Sequence, residues 1–354
     1  MGVIACMSVI TLSGCGSSSN EPVNAGQSPD PTVSAAPSSN PEASEPAVKE
    51  VFTLKCVTQT TFSETIIADK LGFFEDEGIK IEYVGSLGQG VTQFQAIEQG
   101  IIDVFTQGHP SSIAQARLAG IKVKQVAPGF VDAPDNPHIM YLVKDDSPIQ
   151  TLDDLIGKKV GISFIGPCTN GYIEYYLESK GLDPESVEFI TLTQPGQAEQ
   201  AVTLGQIDVT TSHTPYGGVA LNQGGVRLLA TSWDIFQSPG AGFAARGFSD
   251  RFIEEHPDIV QGYVNAMYRA RVFMEANLEY AKEVGAEYLE LEPEEVSSNS
   301  YDQSKNINPQ YVEEWFTIAE KIGLWNTGDI TPEEVYTNDF VPKDVPASDA
   351  AIGK

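Results

Sequence analysis

The chain has 354 residues and a formal net charge of −28, from 21 Lys and Arg against 49 Asp and Glu. Such an excess of negative charge repels phosphate and excludes nucleic acid and an anionic bilayer surface as partners. The length suits two domains or lobes, and 41% apolar with 20% charged residues excludes wholesale disorder and coiled coil. The four cysteines, at 6, 15, 56 and 168, form no CxxC pair and are too few to staple so long a chain, so neither a disulfide scaffold nor a zinc ribbon is expected.

Residues 1–14 are uncharged and mostly apolar. At about 1.5 Å per residue they fall short of a hydrocarbon core of about 30 Å, so they read as the apolar part of a secretory signal rather than a membrane span. Leu12-Ser13-Gly14-Cys15 resembles the lipobox of bacterial lipoproteins, in which Cys15 is lipidated and becomes the first mature residue. Residues 16–50 hold eight Ser and six Pro without an apolar period and predict a disordered tether. A lipidated Cys15 with that tether implies a folded part, beginning near Val51, displayed on the extracytoplasmic face of the cell membrane.

From Val51 short β-rich runs alternate with amphipathic stretches: strands over 51–57, 80–84, 102–106 and 123–127, helical patterns over 65–78, 91–100 and 111–120. That alternation predicts βαβ units and a largely parallel sheet. Pro110 and Pro215 stand where helices would begin, and 251–292 and 309–322 read as packing helices. An internal repeat joins the two halves: at an offset of 105, GIIDVFT at 100–106 matches GQIDVTT at 205–211, and GIKV at 120–123 falls on GVRL at 225–228 without a gap. Two copies of one α/β unit predict two similar lobes facing a cleft.

Ligands of open α/β sheets sit beyond the carboxyl ends of the strands. That rule selects 58–63 (Gln59, Thr60, Phe62), 106–112 (Gly108, His109, Ser111), 163–171 (Cys168, Thr169, Asn170), 191–197 (Thr193, Gln197) and 211–216 (His213, Thr214, Tyr216), with His138 between the halves. None of these segments contains Lys, Arg, Asp or Glu. Backbone N–H groups at helix starts could still hold a compact anion, and a neutral or aromatic polar ligand is equally compatible. His109, His138 and His213 could donate to a ligand oxygen. As a trio they could also hold a metal, but no acid or Cys accompanies them in sequence, so no metal and no cofactor is expected. Cys56 reads as a buried thiol; Cys168, at a helix start, reads as a donor whose pKa would be lowered.

The runs at 68–82, 96–104, 155–162 and 257–260 resemble the substrate-binding proteins of ABC transporters of the nitrate, sulfonate, bicarbonate and taurine type. The resemblance implies a two-lobe periplasmic-binding-protein-like fold of type II, each lobe a mixed sheet flanked by helices. It places 51–143 with 244–354 in lobe one and 144–243 in lobe two, with hinge strands at 138–144 and 242–247. It implies capture of a small organic solute or anion for a cognate permease and ATPase, by a monomer that is not an enzyme. Three alternatives stay open: a thiamine-precursor pyrimidine or aromatic solute, an enzyme on the same fold, and a sensory receptor partner. Pyrimidine synthases share the fold, but their Cys-rich motif is absent.

Overall fold

The computed structural model describes residues 51–88, 91–214 and 216–345; the expected signal segment, Cys15, the tether and Pro215 lie outside them. The strands are β1 (Phe52–Cys56), β2 (Ile79–Tyr83), β3 (Val104–Gly108), β4 (Val123–Val131), β5 (Ile139–Lys144), β6 (Lys159–Ile162), β7 (Glu188–Thr191), β8 (Val209–His213), β9 (Val226–Thr231), β10 (Ala244–Ser249) and β11 (Ser300–Tyr301). The first sheet runs β11-β4-β10-β3, with the parallel pair β1-β2 continuing it past β3, where Lys55 and Asp103 are bonded. The second runs β7-β6-β8-β5-β9. In strand order the halves match, β2-β1-β3-β10-β4 against β7-β6-β8-β5-β9.

The strands that follow a passage between the sheets depart from the parallel expectation. β10 is antiparallel to β3 and β4, and β5 is antiparallel to β8 and β9. Each enters its sheet from the other half of the chain and so runs against strands delivered by βαβ crossovers. β5, expected as a hinge strand, pairs entirely within the second sheet, so the chain passes between sheets at 132–138 and again before β10. Gly247 lies where the β10 register shifts; a Cβ there would meet the Lys124 carbonyl oxygen at 1.8 Å, so no larger residue fits against β4.

The repeat has a shared mechanical device. The Asp103 carboxylate accepts the Lys55 N–H at 2.8 Å while its own N–H donates to the Lys55 carbonyl at 3.0 Å. Asp208 and Lys159 make the same pair of bonds at 2.8 and 2.9 Å. The glycines that end the preceding helices, Gly100 and Gly205, have φ of 69° and 70°, in the left-handed region glycine enters without cost. Asp103→Ala should therefore destabilise the protein by about 1–2 kcal/mol, and the more exposed Asp208→Ala by less. Urea unfolding midpoints at unchanged m would measure this, and two unaffected midpoints would show the clasp to be dispensable.

Helix Pro257–Ala276 drives Val260, Tyr263, Met267 and Phe273 against Leu54 and Ile79 of β1 and β2. Helix Pro309–Lys321 is started by Asn308, which accepts the Gln310 N–H at 3.1 Å, with Pro309 at the first turn where no N–H is needed. Its faces enter different cores. Val312 and Phe316 join Phe105 and Ile113, whereas Trp315 and Ile318 join Tyr141, Ile162 and Tyr172 of the second sheet's core. No helix among the described residues is long and apolar enough to cross a membrane.

Candidate solute cavity and histidine cluster

β3 ends at Gly108, β8 ends at His213, and His138 immediately precedes β5. Their carboxyl ends and the passage between the sheets thus deliver three imidazoles to one place. The rings of His109 and His138 lie 5.0 Å apart, as do those of His138 and His213. Trp315 stacks on His109 at 4.2 Å and is itself held by an indole N–H donated to the Gly240 carbonyl at 2.8 Å. Cys168, in the π-turn Pro167–Gly171 after β6, brings its Sγ to 3.7 Å from His213 Nε2.

Burial keeps these rings neutral. It pushes His109 and His213 down to about 4, and His138 well below its usual range with help from the two neighbouring rings. His109 Nδ1 lies 2.8 Å from the Phe243 carbonyl, which can only accept, so this nitrogen carries the proton and Nε2 is left with a lone pair. His138 Nε2 is buried without a hydrogen-bond partner among the described residues. The Cys168 thiol corrects the expectation of a lowered pKa: removal from water pushes it up to about 12, so it is a neutral thiol and not an activated nucleophile. Cys56 is likewise buried and pushed up to about 12, as read from the sequence.

A cavity of about 250 Å³ opens beside His138 and His213. Its lining is mixed: Phe62, Phe130, Leu289 and Val296 are apolar, and Thr60, Asn136, Thr214, Asn299 and Ser300 are polar and neutral. Glu295 is the acid on its lining, and no Lys or Arg lines it. His213 also borders a second cavity of about 410 Å³, shared with His109, Thr193 and Tyr216.

The NMT1/THI5-like family profile matches residues 59–281. The chain belongs to that family. It is 28% identical over 298 residues to a Bacillus subtilis protein whose name, aliphatic sulfonates-binding protein, is provisional; the match covers 82% of this chain and 81% of that one. In fold it is similar to the periplasmic aliphatic sulphonate binding protein SsuA of Escherichia coli, with TM-score 0.65, 20% identity, 84% of this chain and 97% of the other covered. The alkanesulfonate-binding SsuA of Xanthomonas axonopodis pv. citri, solved with MOPS bound, gives TM-score 0.65 at 19% identity over 82% of this chain and 100% of that one.

Within this NMT1/THI5-like protein the selected residues divide. Thr60, Phe62, His138, His213 and Thr214 line the smaller cavity; His109, Thr193 and Tyr216 line the larger. Gly108 borders a shallow recess with His109, and Gln197 faces an outer depression near Tyr216. The others are engaged in the fold. Gln59 donates to the Val57 carbonyl at 2.9 Å and accepts from Ser63, and Ser111 is buried in its helix. The Thr169 hydroxyl donates to the Phe164 and Gly166 carbonyls, and Asn170 accepts the Gly166 N–H and donates to Glu174, so both side chains are engaged in holding their own turn and the helix after it. Two contributions escaped the sequence rule. Trp315 sits on a helix that reads as packing, and 289–300 lies far from any predicted strand end, although Leu-x-Leu followed by Ser-Ser-Asn-Ser is an apolar-to-polar switch suited to a cavity rim.

Proposed function

We propose that this protein is the solute-capturing component of an ABC importer, held on the extracytoplasmic side of the membrane. In this reading its cargo is a small sulfonate with an apolar tail, delivered to a cognate permease and ATPase. The observation that carries this reading is the cavity beside His138 and His213, whose lining joins apolar side chains to neutral polar ones without a Lys or Arg. An alkyl tail matches the side chains of Phe62, Leu289 and Val296, while Thr60, Thr214 and Asn299 offer neutral donors to the head. A sulfonate spreads one charge over three oxygens, so several neutral hydrogen bonds can hold it without a fixed cation. The curated relative named for aliphatic sulfonates supports the same class.

In this reading the two sheets are the centres of two lobes with the solute between them, the first boundary lying at 132–138, ahead of β5, rather than after residue 143. Helix Pro309–Lys321, which enters both cores, restricts opening to motions that keep Trp315 seated. The neutral Cys168 thiol, pushed up to about 12 by burial, supports capture over catalysis by a resting thiolate.

Calorimetric titration with alkanesulfonates of increasing length, taurine and nitrate tests the proposal. Affinity should rise by up to about 0.8 kcal/mol, roughly fourfold, for each methylene until the apolar lining is covered. Thr214→Val and Asn299→Ala should each weaken binding by about 1–3 kcal/mol. Nitrate binding as tightly as every sulfonate, or no binding by any of them, would reject the proposed cargo.

A further inference from the structure

The sequence separates Cys168 from His109 and His138 by dozens of residues, whereas the fold brings one candidate ligand atom from each to within 4.8 Å of the others. We propose that His109, His138 and Cys168, with His213 at the fourth position, form a binding site for a zinc ion. Every part of the donor set favours this ion. Thiolate and imidazole select zinc over magnesium and calcium, which require oxygen ligands, and no carboxylate belongs to the cluster.

The protonation pattern fits a site awaiting a cation. His109 is fixed by its Nδ1–H bond to the Phe243 carbonyl and by stacking on Trp315, so its Nε2 lone pair points away from both. A backbone carbonyl on the far nitrogen is the usual outer support of a metal-bound imidazole. His138 Nε2 is buried and unpartnered, a cost that coordination would remove. The separation of 3.7 Å between Cys168 Sγ and His213 Nε2 is close to the ~3.5 Å edge of a zinc tetrahedron built from bonds of about 2.3 and 2.0 Å. The spacings of up to 4.8 Å among His109, His138 and Cys168 require an inward shift of about 1 Å on capture, and His213 joins them through its contact with Cys168.

Coordination balances simply. The three imidazoles give lone pairs, Cys168 forms a Zn–S bond, and its thiol proton leaves to solvent. His109 follows β3 in the first sheet, whereas Cys168 and His213 follow β6 and β8 in the second, so the ion would tie the two sheets together. The site stands apart from the sulfonate reading, since zinc would bind with no solute present.

The test uses the full chain, stripped with EDTA and dialysed, then titrated with Zn²⁺ against a chromophoric chelator and with Co²⁺ by absorption. The expected result is one equivalent of Zn²⁺ bound at sub-micromolar concentration and a thiolate-to-cobalt charge-transfer band in the near ultraviolet. Cys168→Ser should abolish that band, and His138→Gln should weaken Zn²⁺ binding by on the order of 100-fold, with melting curves establishing that both variants fold. No tight Zn²⁺ binding by the wild type would overturn the site. So would a cobalt band that persists in Cys168→Ser, or Zn²⁺ affinity unchanged in both variants.

Discussion

Lowering the pH from about 6.5 to 4 should remove several kcal/mol of stability, because His109 and His213 stay neutral in the fold until about pH 4. An unfolded imidazole takes its proton near the usual 6.5, so across this window the unfolded state binds more protons and is favoured as pH falls. A displacement from 6.5 to about 4 corresponds to roughly 3 kcal/mol per ring. His138, displaced downward by burial and then by its neighbours, acts in the same direction. Asp132, whose carboxylate accepts the His138 backbone N–H, opposes them. Burial raises it from 3.8 to about 6, so its protonation on acidification restores roughly 3 kcal/mol. Among these four groups the balance remains a loss, with the histidine contribution complete above pH 6.5; Asp69 and Glu314, also raised by burial, reduce it. Urea unfolding at about pH 7, 5.5 and 4.5 should show a His213→Asn variant with a profile flatter than wild type by up to about 1.4 kcal/mol per pH unit. Parallel profiles would mean that His213 takes its proton as readily in the fold as in the unfolded chain.

Glu64→Gln should cost about 3–5 kcal/mol, because it leaves the Arg246 guanidinium charged and buried without its counter-ion. Both residues are at 0% exposure and their side chains meet at 2.9 Å. Glu64 lies in the first turn of helix Glu64–Lys70, where its charge is also favoured by the helix dipole. Arg246 lies on β10 with its guanidinium 4.3 Å from the centre of the Phe130 ring, the ring that lines the solute cavity. Its Nε and Nη1 find no partner among the described residues, so the one ion pair carries most of the compensation. The double variant Glu64→Leu with Arg246→Met, which removes both charges, should recover most of the loss. A Glu64→Gln midpoint within about 1 kcal/mol of wild type would show that the buried cation is balanced elsewhere.

What was legible in the sequence was local or repeated. Period-two runs such as 51–57 and 123–127 became β1 and β4, Pro110 began the helix it was expected to begin, and the repeat of Gly-x-Ile-Asp-Val became two matching Asp–Lys clasps. These features depend on neighbours a few residues apart, or on one unit used twice, and both leave a pattern along the chain. The direction of β5 and β10 left none, because a strand's own residues are the same whichever way its partners run. The site followed the same division. The rule of strand ends found His109, His138, His213 and Thr214, because where a strand stops is written locally. It also selected Thr169 and Asn170, which are engaged in hydrogen bonds to residues close by in the chain, and passed over Trp315 and 289–300, which reach the cluster and cavity only through packing. Contacts such as His109 to Phe243 and Arg246 to Glu64 span 134 and 182 residues. At that separation only the folded chain decides which side chains meet, and so it was the tertiary structure that placed a thiol beside three imidazoles and gathered apolar and polar side chains around one cavity.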